Sequence, residues 1–292
     1  MLTRMLLAST FLVGISAPAL SADPVQAIAP LAPASDMQGV SGYVDLYAGI
    51  GTIDFGGPVN YDLVPIGGAG RANIWFSPTF ALQLDAWGEG VSWDLPGNNS
   101  ASYNSFGIGG HLAWRDPNSF AFGGLASVGD AAFGRWGNVG LEGQAYFGNF
   151  TLYGQAGYTF DISGNSGPGG SGFDVWYVIG EGRYFPMPNL MLAGHIGYDD
   201  FSCSGCGDAS AIRWGADVEF QPGGSPVAGF LSYQGASLDT GGGPDIDEHV
   251  FLAGVKVLMG QDSLQANNNY GATFADHNPV YGKWNLRFLG LN

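Results

Sequence analysis

Gly42-Tyr43-Val44-Asp45-Leu46-Tyr47-Ala48-Gly49-Ile50-Gly51 is the stretch whose reading decides the fold. Successive side chains of an extended chain point to opposite sides, so Val44, Leu46, Ala48 and Ile50 share one face and Tyr43, Asp45 and Tyr47 the other. The first face suits hydrocarbon and the second suits water. The same beat of alternating residues, closed by a turn or a Gly/Asn/Asp-rich loop, recurs from Gly42 to Met259. A tilted strand needs roughly 9 to 11 residues of that kind to cross a bilayer.

Working outward, the alternation predicts further strands over 66–76, 79–93, 103–115, 119–128, 135–148, 150–162, 172–185, 190–201, 209–221, 226–238 and 248–259. Tight connections such as Ser77-Pro78, Asp116-Pro117-Asn118, Asn149 and Pro186-Met187-Pro188-Asn189 alternate with longer polar ones, among them the loop through Asn98, Asn99 and Ser100. The expected architecture is all-β, a transmembrane antiparallel up-and-down barrel of twelve strands in one domain, with ten or fourteen also compatible. Short turns face one side of the membrane and longer loops the other.

Composition agrees. Fifty glycines in 292 residues, 14% aromatics and 12% charged residues stand against a usual charged share of about 25%. Glycine lets a curved sheet bend and lets backbones or rings approach closely. The first 22 residues read as a secretory leader, with Arg4, the apolar run 5–15 and small residues for cleavage after Ser21 or Ala22. Its removal takes away one base and no acid, leaving 8 Lys+Arg against 25 Asp+Glu, or −17. Such a field disfavours nucleic acid. The Pro/Ala-rich 23–41 reads as a flexible lead-in. Aromatics collect at the short turns, at Trp75, Phe76, Phe80, Trp114, Phe120, Phe147, Phe150, Tyr184, Phe185 and Phe220, as a girdle at the headgroup level requires.

With leader, alternation and girdle together, the chain resembles the porins and small outer-membrane barrels of Gram-negative bacteria over the leader and about 42–259. The resemblance implies an outer-membrane location with a periplasmic N-terminus, lipid and the barrel-assembly machinery as partners, homo-oligomers in some members, and no cofactor. In that family the last strand carries a glycine followed by spaced apolar residues and ends the chain on an aromatic. Gly254-Val255-Lys256-Val257-Leu258-Met259 matches the pattern, but 33 residues follow it. The 261–279 part is Asn-rich and reads as loose, while 281–289 alternates again through Trp284, Leu286 and Phe288. The 260–292 tail is therefore expected either to dock under the barrel or to be the closing strand.

Inward positions carry the functional signal. Parity points Arg71, Arg115, Arg183 and Lys256 into the lumen at similar depth, a basic tier facing Asp45, Asp85, Glu89, Glu142, Glu181, Asp217 and Glu219. Opposed charges in a constriction orient solutes, which supports a porin-like passive diffusion pore for small polar solutes or ions. Charges inside a narrow barrel can also pair into a plug, which supports a sealed structural or surface-interaction barrel. Inward glycines at 107, 109, 140, 157, 197 and 215 favour the wider bore.

Cys203 and Cys206 fall in an expected outer loop, where an oxidising compartment favours a disulfide, with no metal site. Gly-rich runs lack the strand-to-helix context that holds a phosphate. A lipid-hydrolase reading needs a base and a hydroxyl facing lipid at the outer rim. Ser237 and His249 meet that condition, flanking the loop centred near Gly243, opposite each other and on the outward face, while His111 and His195 point inward. Without a surrounding motif no catalytic residue is assigned.

Overall fold

The computed structural model describes residues 39–57, 60–95, 99–131, 134–162, 173–203 and 209–275. The leader and most of the 23–41 lead-in lie outside the described residues.

Twelve strands follow one another: β1 (Val40–Asp54), β2 (Asn60–Trp75), β3 (Phe80–Leu95), β4 (Asn99–Asp116), β5 (Phe120–Ala131), β6 (Gly134–Phe147), β7 (Phe150–Asp161), β8 (Phe173–Met187), β9 (Leu190–Cys203), β10 (Ala209–Phe220), β11 (Val227–Asp239) and β12 (Ile246–Met259). Each pairs antiparallel with the next, and β12 pairs with β1 to close the ring. The closing seam runs from Gly42 opposite Met259 to Asp54 opposite Asp247. A closing strand in the 260–292 tail is thereby corrected: with β1 paired on both sides, no edge is left to receive another strand. The loop expected through Asn98, Asn99 and Ser100 is also shorter than predicted. β3 and β4 keep pairing to Leu95 opposite Asn99, which satisfies main-chain donors and acceptors further along the hairpin.

The outer face is apolar, with Leu46, Ile50, Ile66, Ile108 and Leu231 each more than 60% exposed. Phe76, Phe80, Trp114, Phe147, Tyr184 and Phe220 lie exposed at the short-turn end. Trp75 and Phe185 leave that girdle. Both are buried and point inward.

The interior is layered. At the long-loop end Ile53, Leu63, Val91, Trp93, Val175, Phe201, Leu238 and Ile246 form a buried apolar collar. Below it the lumen is charged and polar. At the short-turn end Tyr43, Phe185, Ala228 and Leu258 pack on Leu264 and Ala272, which come from beyond β12.

Those two residues belong to a segment that turns back into the barrel. Gly260 has φ +74°, and a Cβ there would run into the Val40 carbonyl, so glycine permits the reversal. A short helix α1 (Leu264–Tyr270) follows, its first turn capped by Ser263, whose Oγ accepts the Ala266 N–H at 3.1 Å. Leu-Gln-Ala-Asn-Asn-Asn-Tyr is a poor helix former, and seven residues would not hold a helix in water. The lumen supports it instead. Gln265 Nε2 donates to Gly148 O at 3.0 Å, Asn268 Nδ2 to Thr151 Oγ1 at 2.9 Å, and Asn269 Nδ2 to Pro117 O at 3.1 Å. The asparagines that read as a loose stretch are the groups a polar cavity can satisfy.

Candidate functional site

The segment 261–275 crosses the short-turn mouth and enters the lumen along β2–β8. Arg115 is fully buried and meets the end of α1. Its Nη1 donates to Gly271 O at 2.8 Å and its Nη2 to Asn269 O at 2.8 Å and Asn268 O at 3.2 Å. The last carbonyls of a helix lack partners within it and carry its negative end, so a guanidinium is matched to them in both donors and charge. Trp75 Nε1 and Asn73 Nδ2 add bonds to Tyr270 O at 2.8 and 3.2 Å. This explains why Trp75 turns inward.

Arg71 and Arg183 do the same further on. Arg71 Nη1 donates to Phe274 O at 2.8 Å, and Arg183 Nη1 donates to Thr273 Oγ1 at 2.6 Å and Thr273 O at 3.1 Å. The fourth basic residue, Lys256, pairs instead with Glu219 at 2.5 Å and lies over the Tyr43 ring. The four bases thus sit inward, three of them bonded to the segment.

Beneath the segment lies a buried acid–imidazole–acid chain. His111 Nε2 is 2.8 Å from Asp85 Oδ2 and its Nδ1 2.7 Å from Glu142 Oε1. Each ring nitrogen of His111 thus faces one carboxylate. Gln83 Nε2 donates to both Asp85 oxygens at 2.9 Å, and Tyr153 Oη donates to Glu142 Oε2 at 3.0 Å. The Phe274 ring stacks on His111 at 5.7 Å. Replacing His111 with Leu leaves two buried carboxylates without the imidazole that bridges them. The expected cost is about 3–5 kcal/mol, read as a lower urea midpoint for the purified barrel, and an unchanged midpoint would contradict this account.

Beside the segment a cavity of about 440 Å³ remains, walled by β1–β3 and β7–β12. Asp45, Glu89, Glu181, Asp217, Glu219 and Glu248 line it, as do Arg71, Arg183, Arg213 and Lys256. Glu181 holds Arg183 Nε at 2.5 Å, Asp199 holds Arg213 Nε at 2.6 Å, and Asp217 lies 3.7 Å from His195. Of the residues expected to line a pore, Asp45, Glu89, Glu181, Asp217, Glu219, Arg71, Arg183 and Lys256 border this cavity. Arg115, Asp85 and Glu142 are packed under the segment. Arg213, Glu248, Gln83 and Tyr153 share the inward parity of their strands but carried no distinguishing pattern.

Two sequence inferences are corrected by geometry. Several inward glycines do not widen the bore, because rings lie over them: a Cβ at Gly107 would strike the Trp87 ring, one at Gly157 the Tyr177 ring and one at Gly215 the His195 ring, whereas Gly197 borders the cavity. Ser237 and His249 are not opposite each other. Ser237 faces Asp247 and His249 faces Gly235, and His249 Nδ1 is 2.9 Å from Tyr233 Oη. Cys203 ends β9, but Cys206 lies outside the described residues, and so does their pairing.

No family model and no curated protein matches the chain. Among solved structures it is similar to an outer membrane channel from Pseudomonas putida F1, with TM-score 0.56 and 11% identity over 77% of this chain and 98% of that one. It is similar to the beta domain of the Bordetella autotransporter Brka, with TM-score 0.51 and 13% identity over 76% and 100%. The NanC porin gives TM-score 0.50 and 11% identity over 73% and 98%. The likeness is one of fold, and the fold is the closed antiparallel β-barrel of outer-membrane proteins.

Proposed function

We propose that the protein is a channel of a Gram-negative outer membrane for small polar solutes or ions, occluded from the short-turn side by its own residues 261–275. The observation that carries this is the charged cavity of about 440 Å³ inside a wall whose outer face is apolar. A barrel with only a structural role is better served by a packed interior, since buried charges add little net stability. Short turns, N-terminus and plug belong on the periplasmic side, because outer-membrane barrels keep short turns there. Diffusion is passive, and lipid, the assembly machinery and the solute are the partners.

The cavity wall carries six carboxylates against four Arg and Lys, so the lumen prefers cations. Asp217→Asn removes one of these charges at a position away from the segment. In planar bilayers under a salt gradient, this variant in a chain ended at Gly260 is expected to shift the reversal potential toward anions. An unshifted potential argues that Asp217 does not line the path.

A second reading, a sealed structural or surface-interaction barrel, is favoured by the apolar layers at both ends of the lumen. Silence of a correctly folded barrel with and without the segment selects it. Lipid hydrolysis lost on replacing Ser237 would support the third reading, and intact hydrolysis removes Ser237 from any role.

A further inference from the structure

The lumen reads the segment by its main chain. Both main-chain groups of three consecutive residues are met by barrel side chains. Gln83 Oε1 accepts the N–H groups of Thr273 at 2.8 Å and Phe274 at 3.1 Å, while Gln83 Nε2 donates to Phe274 O at 2.9 Å. Arg183 donates to Thr273 O and Arg71 to Phe274 O. Tyr153 Oη accepts the Ala275 N–H at 3.4 Å, and Gln155 Nε2 donates to Ala275 O at 2.9 Å. The Gln83 amide thus treats residue 274 as a neighbouring strand would, through its N–H and its C=O together.

Side-chain demands are few. The Phe274 ring lies between His111 and Tyr153 with Arg115 at 5.6 Å. Its neighbours Ala272 and Ala275 are small, and Thr273 offers one hydroxyl. Such a wall accepts peptide of many sequences provided one position is aromatic. Arg71, Tyr153 and Arg183 also border the cavity, so the strip opens onto the path assigned above to solutes.

We propose that this strip of β2–β8 is a binding site for short peptides carrying an aromatic side chain, and that residues 273–275 occupy it as an internal stand-in. As the solute class of the channel the proposal rests on the channel reading. Binding itself does not require conduction, so calorimetry separates the two.

An attached segment competes at millimolar effective concentration, so it must be weakened without touching the barrel wall. Phe274→Ala in the full chain does this. Faster chymotryptic cleavage at Tyr270 and unchanged heat-modifiable mobility verify that the segment has loosened and the barrel is folded. The probe is the end-blocked pentapeptide matching residues 271–275, titrated at millimolar concentration by calorimetry. Saturable binding to the Phe274→Ala chain is expected, at least tenfold weaker when Gln83→Leu is added, and weaker also for the analogue N-methylated at the amide corresponding to Phe274. No saturable heat with the loosened chain overturns the site. Equal binding with Gln83→Leu, or equal binding of the N-methyl analogue, overturns the main-chain reading.

Discussion

Ending the chain at Gly260 is expected to turn a nearly silent barrel into one that conducts in steady, reproducible steps. The wall does not need what is removed, for the β1–β12 seam is complete by Met259. What goes is the occupant of the short-turn mouth: α1, the Leu264 side chain that packs on Tyr43, Phe185 and Leu258 of the wall, and the main chain bonded to Arg71, Arg115 and Arg183. Burial of Leu264 alone contributes about 1.5–3 kcal/mol to keeping the mouth closed. Its loss leaves an open polar lumen at that end, with the apolar collar beyond Glu89 and Glu248 as the remaining constriction. Hydrophobic constrictions gate by dewetting, so the open steps should be voltage-sensitive. If the truncated barrel is folded, as judged by heat-modifiable mobility, and carries no more current than the full chain, the segment is not what occludes it.

Arg115→Leu in the full chain is the second large effect. The substitution keeps bulk but removes the donors to Gly271, Asn269 and Asn268. Each buried carbonyl left without a donor costs about 1–3 kcal/mol, and the three share one guanidinium, so the costs are not additive. A net loss of about 3 kcal/mol raises the undocked fraction of the segment roughly a hundredfold at 1.4 kcal/mol per tenfold. Chymotrypsin then cuts at Tyr270 far faster, and brief openings appear in an otherwise quiet recording. Arg115→Lys should recover only part of the docking, since an ammonium cannot reach three carbonyls with the fixed fork of a guanidinium. Protection of Tyr270 in Arg115→Leu equal to that of the unmodified chain would show that docking does not depend on this residue.

Much of the wall was legible in the sequence, because strand parity is local. Each residue's side follows from its neighbours two positions away, so Val44, Leu46 and Ile50 declare an outward face while Asp45 and Tyr47 declare the inward one. Strand order followed as well, since short turns leave each strand no partner but the next. Parity also placed Arg71, Arg115, Arg183 and Lys256 inside. Its limit appears at Gly107 and Gly215: a missing side chain reads as empty space until the ring from the next strand is seen lying across it.

The segment 261–275 was the illegible part. Asn267, Asn268 and Asn269 have weak helix propensity; Asn267 Nδ2 finds Ala272 O nearby at 3.0 Å, but Asn268 and Asn269 depend also on the wall. The groups that hold them, Thr151, Pro117 and Arg115, lie more than 100 positions away. The amino-acid sequence by itself therefore determined the barrel and the direction of each inward charge, consequences of period-two alternation and short connections, while the β1–β12 seam fixed the count at twelve among the described residues. Only the tertiary structure decided what those charges face. Hydrogen bonds between a wall residue and a segment far along the chain leave no periodic trace, and they require strands that only the closed ring brings together.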